Sequence, residues 1–545
     1  MSVPDVRESG VDAPRSSQST NRPTGPTGDH GGSPLRDTST VDIAGWSSNL
    51  GRFGVWAPSI LTCLSALVMV YAYLGTDVLA GNRGLTNLTE SYGALERVAV
   101  WQKALQWLPG ANGDGRFFTL RPAVIAWLVR IAFAGMFAAQ AWAFWLAWRT
   151  RSGSIWPWLI GPVAGHVIML LLVPTNADVF FYEMTGDLAA SGYNPYVWPL
   201  MAFPEHPLLA LNHWIEMTAV YGPVWTAVNA AIMATTGTDA VAATLAYKIV
   251  LGVIALVLAW AVYRFTLMLT GQSRLAVAAG VLVAWQPNML VETSGQAHND
   301  PLMLLLSTLG IWLAIAGGVK AIRGGLVLIA LSAMVKYVTL PILGLLGLVR
   351  IVERRRPRGW AGILGSWVLD GIAIVAVIVA AFAPFWAGPG TLTEMFSEPG
   401  RLYTNPVWFD TYMLLDYLFP HNVARTFADV TRAGLQVASL GIFGWVTARF
   451  VKQLWLIDGD QVDGRGIPAW AGPFIVTWTI VLATLALLPV NSHPWYWTWP
   501  VVPIAVLIAW DARDQERPTL PRWFWWYLGF TALMTLAYHT RIVHL

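Results

Sequence analysis

The chain is a succession of apolar runs of about 20 residues, the length that crosses a bilayer as a helix, and its charges fall mainly in the short segments between them. Inside a bilayer the backbone has no water to bond, so such runs must be helical. Hydrophobic residues make up 55% of the 545 positions and charged ones 12%, with a mean hydropathy of +0.52. This composition predicts an all-α polytopic membrane protein and excludes a soluble single-core fold. A net charge of +3 implies no nucleic-acid partner, because the basic residues sit in short loops between spans. The 31 Trp and 16 Tyr suit interfacial belts. Cys63 is the single cysteine and lies within an apolar run, so no disulfide framework and no thiol chemistry is expected.

Residues 1–50 are rich in Ser, Thr, Pro, Gly and Asp, lack periodicity and read as a disordered cytoplasmic tail. Residues 51–545 read as one transmembrane domain. Spans are expected at about 55–74, 120–148 and 156–173, with 81–118 an external loop holding one short amphipathic helix. Lys and Arg favour cytoplasmic loops, so Arg149 and Arg151 place their turn inside. The stretch Arg350-Ile351-Val352-Glu353-Arg354-Arg355-Arg356-Pro357-Arg358 marks the same side, as do 458–465 and 511–517. Counting from those anchors puts 174–221, 291–300, about 387–425 and 491–499 on the external face of a plasma membrane. Two runs of about a dozen residues meet at Lys336, too short for separate crossings, and read as half-length helices presenting that lysine externally. Run 222–236 is expected not to cross completely. A last span is expected at about 523–538.

Polar residues gather on the external side in four places. Asp178 follows the third span and opens a helix in which Phe181, Met184 and Leu188 form an apolar stripe. Glu183 and Asp187 take the opposite face, the pattern of an interfacial helix lying on a bilayer. Next come Glu292 to Asp300, then Lys336, then His493-Pro494-Trp495-Tyr496-Trp497-Thr498-Trp499-Pro500. Each has a structural alternative. Lys336 snorkels from a helix end, His493 belongs to an aromatic belt, and Asn299 or Asp300 caps a helix ahead of Pro301. None of these explains why all four share one side.

The set offers one well-placed carboxylate with cationic or neutral donors, and no Gly-rich phosphate loop or paired zinc ligands. A glycosidase needs two carboxylates because its leaving alcohol must be protonated. A sugar carried on a lipid phosphate has an acidic leaving group and needs one base, plus charge or donors for the departing phosphate. Asp178 fits as base, with His298, Lys336 and His493 near the phosphate, and direct displacement inverts the anomeric centre. The other class is a transporter or flippase of a lipid-linked saccharide, its polar residues lining a passage. Against it stand the lack of an internal repeat and the placement of polar residues at one interface rather than at mid-membrane.

The runs Asp178-Val179-Phe180-Phe181-Tyr182, Gly192-Tyr193-Asn194-Pro195-Tyr196 and Tyr221-Gly222-Pro223-Val224-Trp225 resemble the first external loop of GT-C-type membrane glycosyltransferases. Gly295-Gln296-Ala297-His298-Asn299-Asp300 is similar to a motif of actinobacterial polyprenol-phosphomannose-dependent α-1,6-mannosyltransferases, as is Pro494-Trp495-Tyr496. The resemblance covers about residues 120–510. It implies a GT-C-like bundle of about 12–14 transmembrane helices with interfacial helices in the first large external loop. It also implies a polyprenyl-phosphate hexose donor, mannose above all, and an external glycan or glycolipid acceptor amid membrane lipids. Asp178 matches the catalytic position. Tyr182, Glu183, Asn194, Tyr196, Tyr221, His298, Asn299, Asp300, Lys336, His493 and Tyr496 are the expected substrate-binding residues. No cofactor is assigned, and whether a divalent metal bridges the phosphate is left open. Two spans and a loop precede the third span here, where the simplest members place their acid after the first.

Overall fold

The computed structural model describes residues 54–75, 94–111, 120–150, 153–356, 359–392, 405–457, 461–489, 491–516 and 518–540. The expected tail 1–50, Arg151 and most of the first loop lie outside them. The described chain is helical, with an isolated bridge between Val462 and Pro468. It is an all-α polytopic membrane protein. Among the described residues, five helices are long and apolar enough to cross a membrane. They are α1 (Trp56–Leu74), α3 (Pro122–Arg149), α7 (Ala240–Thr270), α12 (Gly359–Phe382) and α14 (His421–Leu456). A sixth crossing results if α8 (Ser273–Ala284) and the segment Pro287–Gly295, bent by 54°, form one broken span. The other apolar helices are short: α9 (Asp300–Ala316), α10 (Ile322–Ala333), α11 (Leu340–Leu348), α15 (Ala471–Leu487) and α16 (Val501–Ala512). A count of 12–14 therefore includes helices of less than a full crossing. The remaining helices are α2 (Ala94–Ala104), α4 (Trp156–Met169), α5 (Asp178–Ala190), α6 (Pro223–Thr236), α13 (Pro406–Leu418) and α17 (Arg522–Thr540).

Helix ends follow the local chemistry. Proline stands in the first turn of α3, α6, α9 and α13, where its missing N–H costs nothing. Asp239 caps α7 by accepting from the N–H groups of Val241 and Ala242 at 3.0 and 3.1 Å. The expected third span ends early, at Met169. The freed carbonyls of Leu170 and Leu172 accept from Lys248 Nζ at 3.3 and 2.5 Å, and the chain then runs without regular structure to Asp178. The Lys336 break is as expected: α10 stops at Ala333, Lys336 is extended, and α11 starts at Leu340. With only 14 residues, α6 is too short to cross alone.

The expected loop 387–425 is largely helix, holding α13 and the start of α14; 393–404 lie outside the described residues. The larger correction concerns α5. It does not lie on a surface with one wet face: residues 179–186 are all buried, Glu183 fully. α6 and α7 cover the face expected to be polar, and Thr244 Oγ1 donates to Glu183 Oε1 at 2.5 Å. Gly186 permits this packing, since a Cβ there would lie 2.8 Å from the Asn229 backbone.

Contacts define two ends of the bundle. One end collects 175–178, Tyr221, 292–300, Lys336 and 493–499. The other collects Gly153 with Tyr263, Gln272 with Arg513, Arg350 with Val319, and Arg354 with Ile457. The first end is locked where Gly222 meets the turn before Lys336. Gly222 N–H donates to Val335 O at 3.2 Å, Val224 N–H donates to Met334 O at 3.0 Å, and a Cβ on Gly222 would stand 2.0 Å from Met334 O. Gly222→Ala is expected to cost about 1–3 kcal/mol by overpacking, seen as a lower melting temperature in detergent. Gly344→Ala, with open space around it, should leave the midpoint unchanged.

Candidate functional site

Three carboxylates converge at the first end, each supplied by a different break in helical structure. Asp178 is the first residue of α5, and its N–H donates to Asn176 Oδ1 at 2.9 Å, a turn that orients the helix start. Its Oδ2 accepts from the Tyr221 hydroxyl at 2.9 Å. Burial and the Asp178 charge push the Tyr221 phenol well above its ordinary value, so the phenol remains the donor. Glu292 lies in the π-helical turn Val291–Gly295. Asp300 opens α9, where the helix N-terminus favours its charge. Asp178 is the accessible one, 14% exposed against 5% for Glu292 and 2% for Asp300.

Asp300 Oδ1 accepts from Lys336 Nζ at 2.9 Å and from the Trp499 indole N–H at 2.6 Å. The ammonium lies over three rings, 4.9 Å from the centre of Tyr496, 5.3 Å from Trp499 and 5.9 Å from Tyr221. This is a favourable cation–π setting. Lys336 is thus an ion-paired, caged lysine rather than a snorkelling one. Tyr221 joins the halves of the site, its hydroxyl on Asp178 and its ring beneath Lys336. Tyr182 packs edge-on against Tyr221 at 5.1 Å.

His298 lies between the other two acids. Its Nδ1 is 3.2 Å from both Glu292 Oε2 and Glu292 O. Its Nε2 is 2.9 Å from Asn176 Nδ2 and 3.7 Å from Asp178 Oδ2. The ring stacks on Trp495 at 3.9 Å, and His493 stacks on the other indole face at 4.2 Å. Burial, with the positive fields of His298 and Lys336, pushes His493 down to about 3, so at neutral pH it is an uncharged imidazole. It is a packed member of this stack, not a free cation.

Of the residues singled out in the sequence, Asp178, Tyr182, Tyr221, His298, Asp300, Lys336, His493 and Tyr496 lie together at this end. Glu183 does not: it faces Thr244 in the bundle interior because α5 is buried on both sides. Asn194 and Tyr196 are supports. Asn194 Nδ2 donates to Phe385 O at 2.6 Å, and the Tyr196 hydroxyl donates to Tyr221 O at 2.7 Å, fixing the segment that carries Tyr221. Asn299 is fully buried, makes no side-chain cap to α9, and has both amide atoms without a hydrogen bond in the structure. Sequence reasoning passed over Asn176, Glu292, Trp495 and Trp499. Asn176, two residues before a helix start, carried a readable turn signal. The others lay within recognised segments but lacked a visible partner. Among the described residues no group of three or more His, Cys, Asp or Glu is arranged to hold a metal ion.

The family model described as alpha-(1->6)-mannopyranosyltransferase, N-terminal domain, matches residues 91–352. That interval carries Asp178, Tyr221, Glu292, His298, Asp300 and Lys336, but not the 493–499 loop. Alpha-(1->6)-mannopyranosyltransferase A of Mycobacterium tuberculosis is 29% identical over 42% of this chain and 44% of its own. Its namesake in Corynebacterium glutamicum is 30% identical over 30% of this chain and 32% of its own. A second alpha-(1->6)-mannopyranosyltransferase of M. tuberculosis is 24% identical over 64% of this chain and 65% of its own. The matches thus span between about a third and two thirds of these relatives' length. No solved structure matches the chain. Over residues 91–352, the chain is similar to the alpha-(1->6)-mannopyranosyltransferase family.

Proposed function

We propose that this protein is an inverting mannosyltransferase, moving mannose from a polyprenyl-phosphate donor to an external glycan or glycolipid acceptor. The observation that carries the reading is the position of Asp178. It is the accessible carboxylate of the cluster, oriented through Tyr221 and Asn176, and joined through Tyr221 to Lys336, the partner of Asp300 at the start of α9. Asp178 takes the acceptor's hydroxyl proton as its oxygen attacks the anomeric carbon. The C–O bond to the phosphate breaks on the opposite face, which inverts the centre. No general acid is required, because a phosphate leaves as an anion. The α9 N-terminus, Lys336 and the Trp499 indole supply positive potential for that phosphate. The names of the relatives support mannose as the sugar.

In this reading the site faces the external side of the membrane and the N-terminus is cytoplasmic. Supporting this, Arg149, Lys320, Arg323, Arg350, Arg354, Arg356, Arg465 and Arg513 belong to the opposite end of the bundle or to loops adjoining it. Basic residues concentrate in cytoplasmic loops.

Asp178→Asn should lower transfer of label from polyprenyl-phosphate mannose in membranes by about 100-fold or more; turnover at the native rate contradicts the base assignment. Lys336→Met leaves Asp300 buried with the indole as its remaining partner and should destabilise the protein by about 3–5 kcal/mol. Adding Asp300→Asn should recover much of that loss in thermal melts. The double variant should still need a higher donor concentration than the native protein, and an unchanged donor KM counts against the phosphate role.

A further inference from the structure

Glu292 has no task in the transfer as written, although a carboxylate buried this deeply is costly to keep. It accepts nothing from a lysine or arginine in the described structure. Its neighbours are two imidazoles: His298, with Nδ1 at 3.2 Å from Oε2, and His539, with Nε2 at 3.8 Å from Oε1. We propose that His298 and Glu292 form a relay that takes the acceptor's proton on from Asp178, with Glu292 as its final holder. This rests on the reading of Asp178 as base.

The geometry around His298 defines the relay's direction. Nδ1 faces both a carboxylate oxygen and the main-chain oxygen of Glu292. A carbonyl oxygen only accepts, so Nδ1 carries the hydrogen. Nε2 then bears the lone pair; Asn176 Nδ2 donates to it at 2.9 Å, and it lies 3.7 Å from Asp178 Oδ2. One nitrogen thus faces each acid. The ring is held there by the Trp495 stack and by its own backbone. Ala297, just before it, has φ of 62°, the one non-glycine residue with positive φ among those described. The turn closes with His298 N–H donating to Glu292 O at 2.8 Å. Strained backbone spent on folding a histidine back onto an acid six positions earlier is a mark of function.

Charge balance points the same way. Three carboxyl groups, those of Asp178, Glu292 and Asp300, gather around the single amine of Lys336, and an anionic donor adds to the imbalance. A group able to store a proton relieves it. The groups facing Glu292 are Tyr73 on α1, His539 on α17, and Asp178, His298 and Asp300. Those facing His298 are Asp178, Glu292 and, through their fields, His493 and Lys336.

In the step itself, the acceptor O–H bond breaks as its oxygen bonds to the anomeric carbon, and the phosphate departs with the electron pair of the broken C–O bond. Asp178 holds the proton as a carboxylic acid. A small rotation of its carboxyl brings the 3.7 Å gap within proton-transfer distance, displacing Asn176 from Nε2. The acid then protonates Nε2 while Nδ1–H passes to Glu292 Oε2. Asp178 returns to carboxylate, His298 is neutral in the other tautomer, and Glu292 is protonated.

The test uses the full-length protein with polyprenyl-phosphate mannose, under single-turnover conditions. Glu292→Gln keeps an oxygen that accepts from Nδ1–H but cannot take up the proton. The relay predicts a fall in the transfer rate of about 100-fold, with donor affinity and thermal midpoint unchanged; a native rate in Glu292→Gln overturns it. For the native protein, a proton inventory in H2O–D2O mixtures should curve, with more than one proton in flight. A linear inventory overturns the relay, and this measurement decides if the variant fails to fold. Asp178→Asn separates the two claims. Inactive Asp178→Asn beside fully active Glu292→Gln removes the relay alone, whereas active Asp178→Asn removes the base reading beneath it.

Discussion

Three carboxylates sit together at one end of the bundle, and their need for partners dictates the surrounding structure. A buried charge must be paired and hydrogen-bonded or it unfolds its surroundings. Asp300 meets that need with Lys336 and Trp499, which requires α10 to stop short and the 493–499 loop to fold inward. Asp178 meets it with Tyr221, which requires the Gly222 backbone to press against Met334. Glu292 meets it with histidine, which requires a π turn and a left-handed alanine. Each helix break at this end thus corresponds to one acid.

Much of this was legible in the sequence. The Lys336 break could be read because two runs of about a dozen apolar residues cannot each span a bilayer. The helix at Asp178 and the shortness of α6 followed from periodicity and topology. What the sequence hid was burial. The polar face of α5, Glu183 and Asp187, has the spacing of a wet face, yet Glu183 is enclosed because α6 and α7 pack over it. Periodicity reports which faces of a helix differ, not what a distant segment brings to cover them.

The partners of each acid were hidden for the same reason. Trp499 and Asp300 lie 199 positions apart, and Tyr221 and Asp178 lie 43 apart. Residue types alone suggested that His298 and His493 would serve as donors to phosphate. In the structure one is held between two acids and the other is an uncharged member of an aromatic stack. The 493–499 loop lies outside the stretch matched by the family model, yet it supplies the indole on Asp300 and the stacking partner of His298. A segment beyond the matched stretch therefore completes a site whose three acids all lie within it.

The central claim is that Asp178 faces the anomeric carbon while the phosphate lies toward Lys336 and the start of α9. A structure of the protein with a non-hydrolysable polyprenyl-phosphate mannose analogue tests this most directly. The account predicts the anomeric carbon beside the Asp178 carboxylate, with the phosphate on the opposite side of that carbon, against Lys336 and the α9 N-terminus. A sugar-phosphate bound away from Asp178, or a phosphate on the same side of the anomeric carbon as that carboxylate, would contradict it.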